Sequence, residues 1–244
     1  MMRGLEGVHV ALVAGGRGER LTPITDVLPK LLVPLRGRPL LEYTLDAVEQ
    51  VGVTTEHLML GRHADLVEAY VAATRHRWPG LHIRTHVERL PLGTAGPLRL
   101  LRDAADQFLV VNGDVLVGPW LRPALHRHLA READLTVLSV PYSVRIPFGV
   151  ISSDEQGRVL RLEEKPTLSR PVAAGAYVVG SRVLRLIPGS GACAMPDLIG
   201  LALSAELDVR HHDLGPCDAW GEIGEPGGLL AAQESAQAIS AGSM

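Results

Sequence analysis

An α/β fold on a mainly parallel sheet is what this sequence predicts. Three observations carry it. An apolar run at Val8–Ala14 passes straight into Gly15-Gly16-Arg17-Gly18; short apolar runs recur through roughly the first 140 residues; and stretches of helical spacing separate them. Strands alternating with helices at this rhythm imply a sheet covered on both faces.

The elements read in order as follows. Residues 8–14 form a buried strand and 15–21 a glycine-rich loop. Leu40, Leu41, Leu45 and Val48 recur at helical spacing, and Gly52 ends that helix. Strand-like runs follow at 57–60, 81–87, 108–111 and 135–140, with helical spacing at 64–73, 95–101 and 120–130. Beyond residue 140 the texture changes. Residues 148–152 and 158–162 flank the turn Asp154-Glu155-Gln156-Gly157 and read as a hairpin, 172–179 as a further strand, and 196–205 and 226–238 as helices. With no internal repeat and no low-complexity linker, residues 1–244 are expected to form one domain.

Bulk composition narrows the function. The chain of 244 residues is 46% hydrophobic and 21% charged, with net charge −3 and only 4% aromatic residues. A mildly acidic chain poor in aromatics is ill suited to nucleic acid, which asks for a basic surface and, for single strands, stacking platforms. The opening apolar run is too short to span a bilayer and lacks a cleavage pattern, so no membrane partner and a cytoplasmic location are expected. Cys193 and Cys217 stand far apart without zinc-type spacing, and are expected to be reduced packing residues. His126-x-His128 and His211-His212 show no third ligand and read as exposed helix and strand histidines.

Only two of the 24 basic side chains are lysines: Lys30 in Leu28-Pro29-Lys30, and Lys165 in Glu163-Glu164-Lys165-Pro166. An ammonium is a compact point charge on a flexible stem and does not substitute for the planar arginine fork. Either codon usage left two survivors, or a single phosphate oxygen is met at each place. The glycines at 15, 16 and 18 let backbone N–H groups approach an anion. Leu21 stands where a dinucleotide fingerprint needs its third glycine, and no Gly-Lys-Ser/Thr follows, so neither that fingerprint nor a Walker loop is present. Arg20 and Lys30 place two cations at the mouth of the loop, which suits a triphosphate.

The run Gly15-Gly16-x-Gly18-x-Arg20-Leu21-x-Pro23-x-Thr25, then Pro29-Lys30 and Pro34-x-x-Gly37-x-Pro39-Leu40-Leu41-Glu42-Tyr43, closely resembles the signature of the sugar-1-phosphate nucleotidyltransferases. Further matches follow in that family's order: Glu88-x-x-Pro91-Leu92-Gly93-Thr94-Ala95-Gly96, Asn112-Gly113-Asp114, Phe148-Gly149-Val150, Glu164-Lys165-Pro166, Ala174-Gly175-x-Tyr177, Met195-Pro196-Asp197, and Trp220-x-Glu222-Ile223-Gly224. The resemblance implies a Rossmann-like, mainly parallel sheet with a small β-rich sugar-binding lobe. Residues up to about 140 would form the nucleotide-binding half and about 141–244 the sugar-phosphate half.

It also implies condensation of an NTP with a sugar 1-phosphate to an NDP-sugar and pyrophosphate, with Mg²⁺. Arg20, Lys30, Asp114 and Lys165 would carry the chemistry. Ala14, Gly15, Gly16, Gly18, Glu88, Gly93, Thr94 and Asn112 would complete the nucleotide site. Gly149, Glu164, Ala174, Gly175 and Tyr177 would join Lys165 at the sugar phosphate. Asp114 would ligate the metal, although an Asp there also reads as a turn cap. The family's second metal aspartate is Glu222 here, a carboxylate longer by one methylene.

Glu88 accepts hydrogen bonds only, which favours guanine with its ring N–H and amine, and hence GTP; a solvated strand-end glutamate reads equally well. Ala174 stands where relatives carry an asparagine, which suggests an unusual sugar. Open alternatives are transfer from UTP, dTTP or CTP to an unusual sugar phosphate or another phosphorylated small molecule, and a non-catalytic nucleotide-sugar binder. A monomer or small homo-oligomer is expected.

Overall fold

The computed structural model describes residue 5, residues 7–215 and residues 220–241. β1 (Val8–Ala14) is followed by α1 (Ile24–Val27) and a tight pair, β2 (Pro34–Leu35) and β3 (Arg38–Pro39). Then α2 (Leu40–Val51) ends at Gly52, whose φ of 91° suits a residue without a Cβ. β4 (Thr55–Leu60), α3 (Ala64–Thr74), β5 (His82–Val87), β6 (Gln107–Asn112), β7 (Val115–Leu116) and α4 (Leu121–Arg131) complete the first part. The second comprises β8 (Leu135–Arg145), β9 (Val150–Ser153), β10 (Val159–Glu163), β11 (Thr167–Gly180), α5 (Ser181–Leu184), α6 (Met195–Ser204), β12 (Val209–Asp213), β13 (Gly221–Glu222) and α7 (Pro226–Ala241).

Seven strands form one sheet in the order β12-β8-β11-β6-β1-β4-β5. β6, β1, β4 and β5 run parallel, β11 is antiparallel to both β6 and β8, and β12 is parallel to β8. The α/β, mainly parallel sheet expected from the sequence is therefore present. Its register aligns Val13 with Asn112, Ala14 with Leu60 and Leu60 with Val87, so the carboxyl ends of β1, β4, β5 and β6 lie side by side. From β1 the chain goes to β4 and β5 on one side and later to β6 on the other. Such a reversal of strand order opens a crevice beyond the strand ends, where α/β sheets bind ligands.

Two apolar layers cover the sheet. Val10, Leu12, Leu41, Leu45, Leu58 and Val67 belong to one, and Ala11, Met59, Leu98, Phe108, Val110 and Leu198 to the other. A third cluster, with Leu21, Leu35, Tyr43, Leu116, Ile223 and Ala232, fastens the segment after the glycine loop to β7, β13 and α7. Glu42 within the Leu40-Leu41-Glu42-Tyr43 motif is buried in this frame, accepting hydrogen bonds from Arg38, Tyr70 and Arg77. It is a tether between helices, since three donors already surround it.

Several expectations need correction. The helix read at 95–101 is a 3-10 segment over Gly96–Leu101. Pro97 lacks an N–H, and the amides of Ala95 and Gly96 are both drawn to the Cys193 carbonyl at 2.9 Å. β8 and β11 extend well beyond the apolar runs that signalled them, because their outer halves are mostly exposed and carry no alternation to read. His128 is buried, with its ring nitrogens 2.8 Å from Thr136 Oγ1 and 3.0 Å from Gln107 Oε1, and His212 is buried beside Arg127. Neither is the exposed histidine expected, although no group of metal-ligating side chains gathers among the described residues. Cys193 is buried and free; Cys217 lies outside the described residues. Among the described residues no helix is long and apolar enough to cross a membrane.

Candidate active site

A cleft of about 230 Å³ opens at the carboxyl ends of the parallel strands, lined by Ala14, Gly15, Gly16, Lys30, Glu88, Gly93, Thr94, Asn112 and Asp114. These nine residues, expected from the sequence, come from four loops and meet at one place. Val13, Pro91, Leu92 and Gly113 line it as well. Pro91, Leu92 and Gly113 stand within the family motifs without being singled out there as site residues, and Val13 reads only as part of the first strand.

Its floor is backbone. Among the described residues, the N–H groups of Gly15, Gly16 and Arg17 meet no acceptor, so the donors remain for a ligand. A Cβ on Gly113 would lie 2.7 Å from Ala14 Cβ, which explains the glycine between Asn112 and Asp114. Gly18 adopts φ 70°, and its carbonyl accepts from Thr25 Oγ1 at 2.7 Å and from the Leu21 amide at 2.9 Å, which shapes the loop.

At one end of the cleft, Lys30 Nζ donates to Asp114 Oδ2 at 3.1 Å, and both side chains are about one-fifth exposed. β7 and β13 bring the backbone of Glu222 beside that of Asp114. Glu222 pairs with Val115, and the Ile223 amide donates to the Asp114 carbonyl at 2.7 Å. Arg20 approaches Glu222 at 3.6 Å and passes over Gly224, where a Cβ would lie 2.9 Å from its guanidinium. Arg20, beside Glu222, and Gly18, packed against Thr25, thus stand outside the cleft lining.

At the other end, Glu88 Oε2 accepts from the Leu92 amide at 3.1 Å, while Oε1 is buried without a partner. Burial pushes the Glu88 pKa up, opposed by that amide. A Cβ on Gly15 would lie 2.4 Å from Oε1, so the glycine makes room for this carboxyl group. Thr94 Oγ1 accepts from the Met195 amide at 2.7 Å, fixing the loop to the start of α6. Asn112 Oδ1 is also buried and unpartnered. Two buried acceptors left open within one cleft are the chemistry of a site awaiting donors.

The remaining expected residues lie elsewhere. Gly149, Glu164 and Lys165 sit on the ribbon formed by β9, β10 and the outer ends of β8 and β11. A Cβ on Gly149 would lie 3.1 Å from Glu164 Oε2, and Lys165 is half exposed, 3.8 Å from Glu164 and at φ 47°. Gly175 borders the cleft, since a Cβ there would lie 3.1 Å from Asn112 Nδ2. Tyr177 is core rather than an open wall; burial raises its pKa, with the charge of Asp114 adding to the shift. Ala174 is likewise buried, its carbonyl accepting from Trp220 Nε1 at 2.9 Å.

The sequence profile of the nucleotidyl transferase family matches residues 10–238. The chain belongs to this family. Among curated relatives of this nucleotidyl transferase, mannose-1-phosphate guanylyltransferase of Mycobacterium tuberculosis is 30% identical over 228 residues, covering 90% of this chain and 62% of its own. UTP–glucose-1-phosphate uridylyltransferase of Synechocystis is 26% identical over 87% of this chain and 61% of its own. The chain thus spans about three-fifths of the length of these curated relatives. The crystal structure of a Bacillus anthracis protein assigned as a glucose-1-phosphate thymidylyltransferase superposes with TM-score 0.73 at 24% identity, over 93% of this chain and 94% of that one. HddC from Yersinia pseudotuberculosis superposes with TM-score 0.68 at 21% identity, over 93% and 98%. These two share the fold.

Proposed function

We propose that this nucleotidyl transferase is an enzyme that condenses GTP with a sugar 1-phosphate, giving a GDP-sugar and pyrophosphate. The observation that carries the reading is the cleft itself: a free-amide glycine loop, one lysine, one aspartate and a buried unpartnered glutamate oxygen converge within it. The loop amides, Lys30 and Arg20 receive the triphosphate. Glu88 Oε1 accepts from a base edge that presents donors, and guanine supplies a ring N–H beside an amine. The mycobacterial guanylyltransferase supports this choice, and the Synechocystis uridylyltransferase supports UTP as the alternative.

A phosphate oxygen of the sugar 1-phosphate attacks the α-phosphorus in line. The new P–O bond forms as the bond to the β-phosphate oxygen breaks, and pyrophosphate leaves with that electron pair. Such a transfer needs positioning and charge neutralisation rather than covalent help. Lys30 stabilises charge gathering on the departing pyrophosphate. Lys165, on the β9–β10 ribbon, binds the incoming sugar phosphate.

Asp114 and Glu222 suit Mg²⁺. Both are hard carboxylates, and the pairing of β7 with β13 sets their backbones side by side. Bound there with phosphate oxygens, the ion would neutralise charge on the triphosphate. Residues up to about 140 serve the nucleotide and those from about 141 the sugar phosphate, in one cytoplasmic domain that acts as a monomer or small homo-oligomer.

Pyrophosphate release from GTP, UTP, dTTP and CTP against a panel of hexose, heptose and amino-sugar 1-phosphates tests the reading. Lys30→Ala and Asp114→Ala should each lower turnover by about 10²–10³-fold. Release near the wild-type rate in both would refute the site, and binding without release in every pairing would point to a nucleotide-sugar sensor.

A further inference from the structure

Adjoining the strand-end cleft, and sharing Gly15, Glu88 and Pro91 with it, lies a second depression of about 460 Å³. Three arginines line it from three different segments: Arg17 from the glycine loop, Arg62 from the turn after β4, and Arg89 directly after β5. Glu88 is the one acidic side chain in the lining. Its floor includes Gly15 and Gly61, packed so closely that a Cβ on Gly61 would lie 2.4 Å from the Gly15 carbonyl oxygen.

The three guanidinium groups are unequally engaged. Arg62 donates to the Asp26 carbonyl at 3.0 Å and stands 3.9 Å from its carboxylate, and Arg17 reaches Glu19 at 3.8 Å. Arg89 is exposed and, among the described residues, makes no hydrogen bond or ion pair. Three like charges around one hollow repel one another, so the arrangement gains free energy when an anion enters. Guanidinium forks match phosphate oxygens two at a time. The volume exceeds what one phosphate needs and falls in the range of small-molecule sites.

We propose that this depression is a second anion site that binds a small phosphate-bearing molecule, either pyrophosphate or the phosphates of a nucleotide. Its coupling to the strand-end cleft rests on the nucleotide reading above; its existence does not. Both hollows share Gly15, Glu88 and Pro91, so an anion drawn to Arg89 changes the field on the carboxyl group that faces the base. The phosphate-bearing products of transfer are thereby placed to modulate the next turnover.

Calorimetric titration of the full chain with inorganic pyrophosphate tests this, using wild type, Lys30→Ala, Arg89→Gln and Arg62→Gln/Arg89→Gln. Saturable binding is expected in wild type and in Lys30→Ala. Affinity should weaken by roughly tenfold in Arg89→Gln and further in the double variant. Arg89 has no polar partner among the described residues, so its single substitution is expected to leave stability unchanged, which a thermal melt checks. Parallel titrations with orthophosphate and GDP identify the source: tighter pyrophosphate assigns the leaving group, tighter GDP a nucleotide product. Binding lost in Lys30→Ala but kept in the arginine variants would overturn the proposal, as would no saturable binding of any of the three. If no NTP is turned over but the arginine-dependent binding persists, the transfer reading fails while this site stands.

Discussion

Lys30 and Asp114, 84 positions apart in the chain, meet at 3.1 Å where the segment after the glycine loop faces the end of β6. Each neutralises the other in the free protein. A polyanionic substrate and a divalent cation would compete for these same two groups, so the pair marks where charge is exchanged on binding. Lys30→Ala is expected to lower turnover by about 10²–10³-fold. Asp114→Asn, which keeps shape but removes charge, should lower turnover similarly and raise the Mg²⁺ concentration needed for half-maximal rate. Steady-state kinetics against Mg²⁺ would check both.

Lys165 lies on the exposed ribbon, outside the lining of the cleft that holds Lys30. Lys165→Ala should therefore reduce transfer rate and raise the KM for sugar 1-phosphate while nucleotide affinity stays within about twofold. Fluorescence titration with nucleotide, set beside the kinetics, separates the two. An equal collapse of nucleotide affinity would contradict this division of labour.

Gly93 has φ 80°, and a Cβ there would lie 2.5 Å from the Cys193 carbonyl oxygen. That carbonyl already accepts from Ala95 and Gly96, so it has little freedom to retreat. Gly93→Ala is expected to destabilise the fold by about 1–3 kcal/mol and to shift the loop lining the cleft. Denaturant unfolding would show the first effect and a raised nucleotide KM the second.

Glu56 is fully buried in β4 with both carboxyl oxygens unpartnered, and burial pushes its pKa from 4.5 up to about 8. Between those values the folded chain holds the extra proton, so this group makes stability fall as pH rises from 4.5 to about 8. Glu56→Leu should remove that slope and add about 1–3 kcal/mol at pH 8, measured as the urea midpoint across pH.

On the acid side, His57 bridges His9 at 3.1 Å and His86 at 3.0 Å across β1, β4 and β5. Burial first, then its charged neighbours, lowers the His57 pKa from 6.5 to about 4; burial alone lowers His128 to about the same value, opposed by Asp134 and Asp208. The unfolded chain therefore binds more protons between these limits, and stability should drop as pH falls from 6.5 towards 4. His57→Leu should flatten this acid limb in the same urea series.

Gly15 and Lys30 were legible as candidate site residues from backbone approach and point charge, whereas Glu88 and Asp114 were marked by the family resemblance; all four line one cleft. Strands buried on both faces, such as β1 and β6, were legible from apolar runs, broken in β1 only by His9. The outer halves of β8 and β11 were not, since strands exposed on both faces carry no periodic signal. Nor could spacing tell that Glu42 is a buried tether, that His128 is enclosed, or that Ala174 and Tyr177 are packed in the core.

By itself the sequence determined the parallel α/β plan, the place of the glycine loop and the chemical types brought to the site, because these follow from local pattern and side-chain chemistry. Tertiary structure alone decided which distant groups meet. Lys30 finds Asp114, Arg20 finds Glu222, and Arg17, Arg62 and Arg89 surround one hollow, because strand order and register set those distances, and no local spacing encodes them.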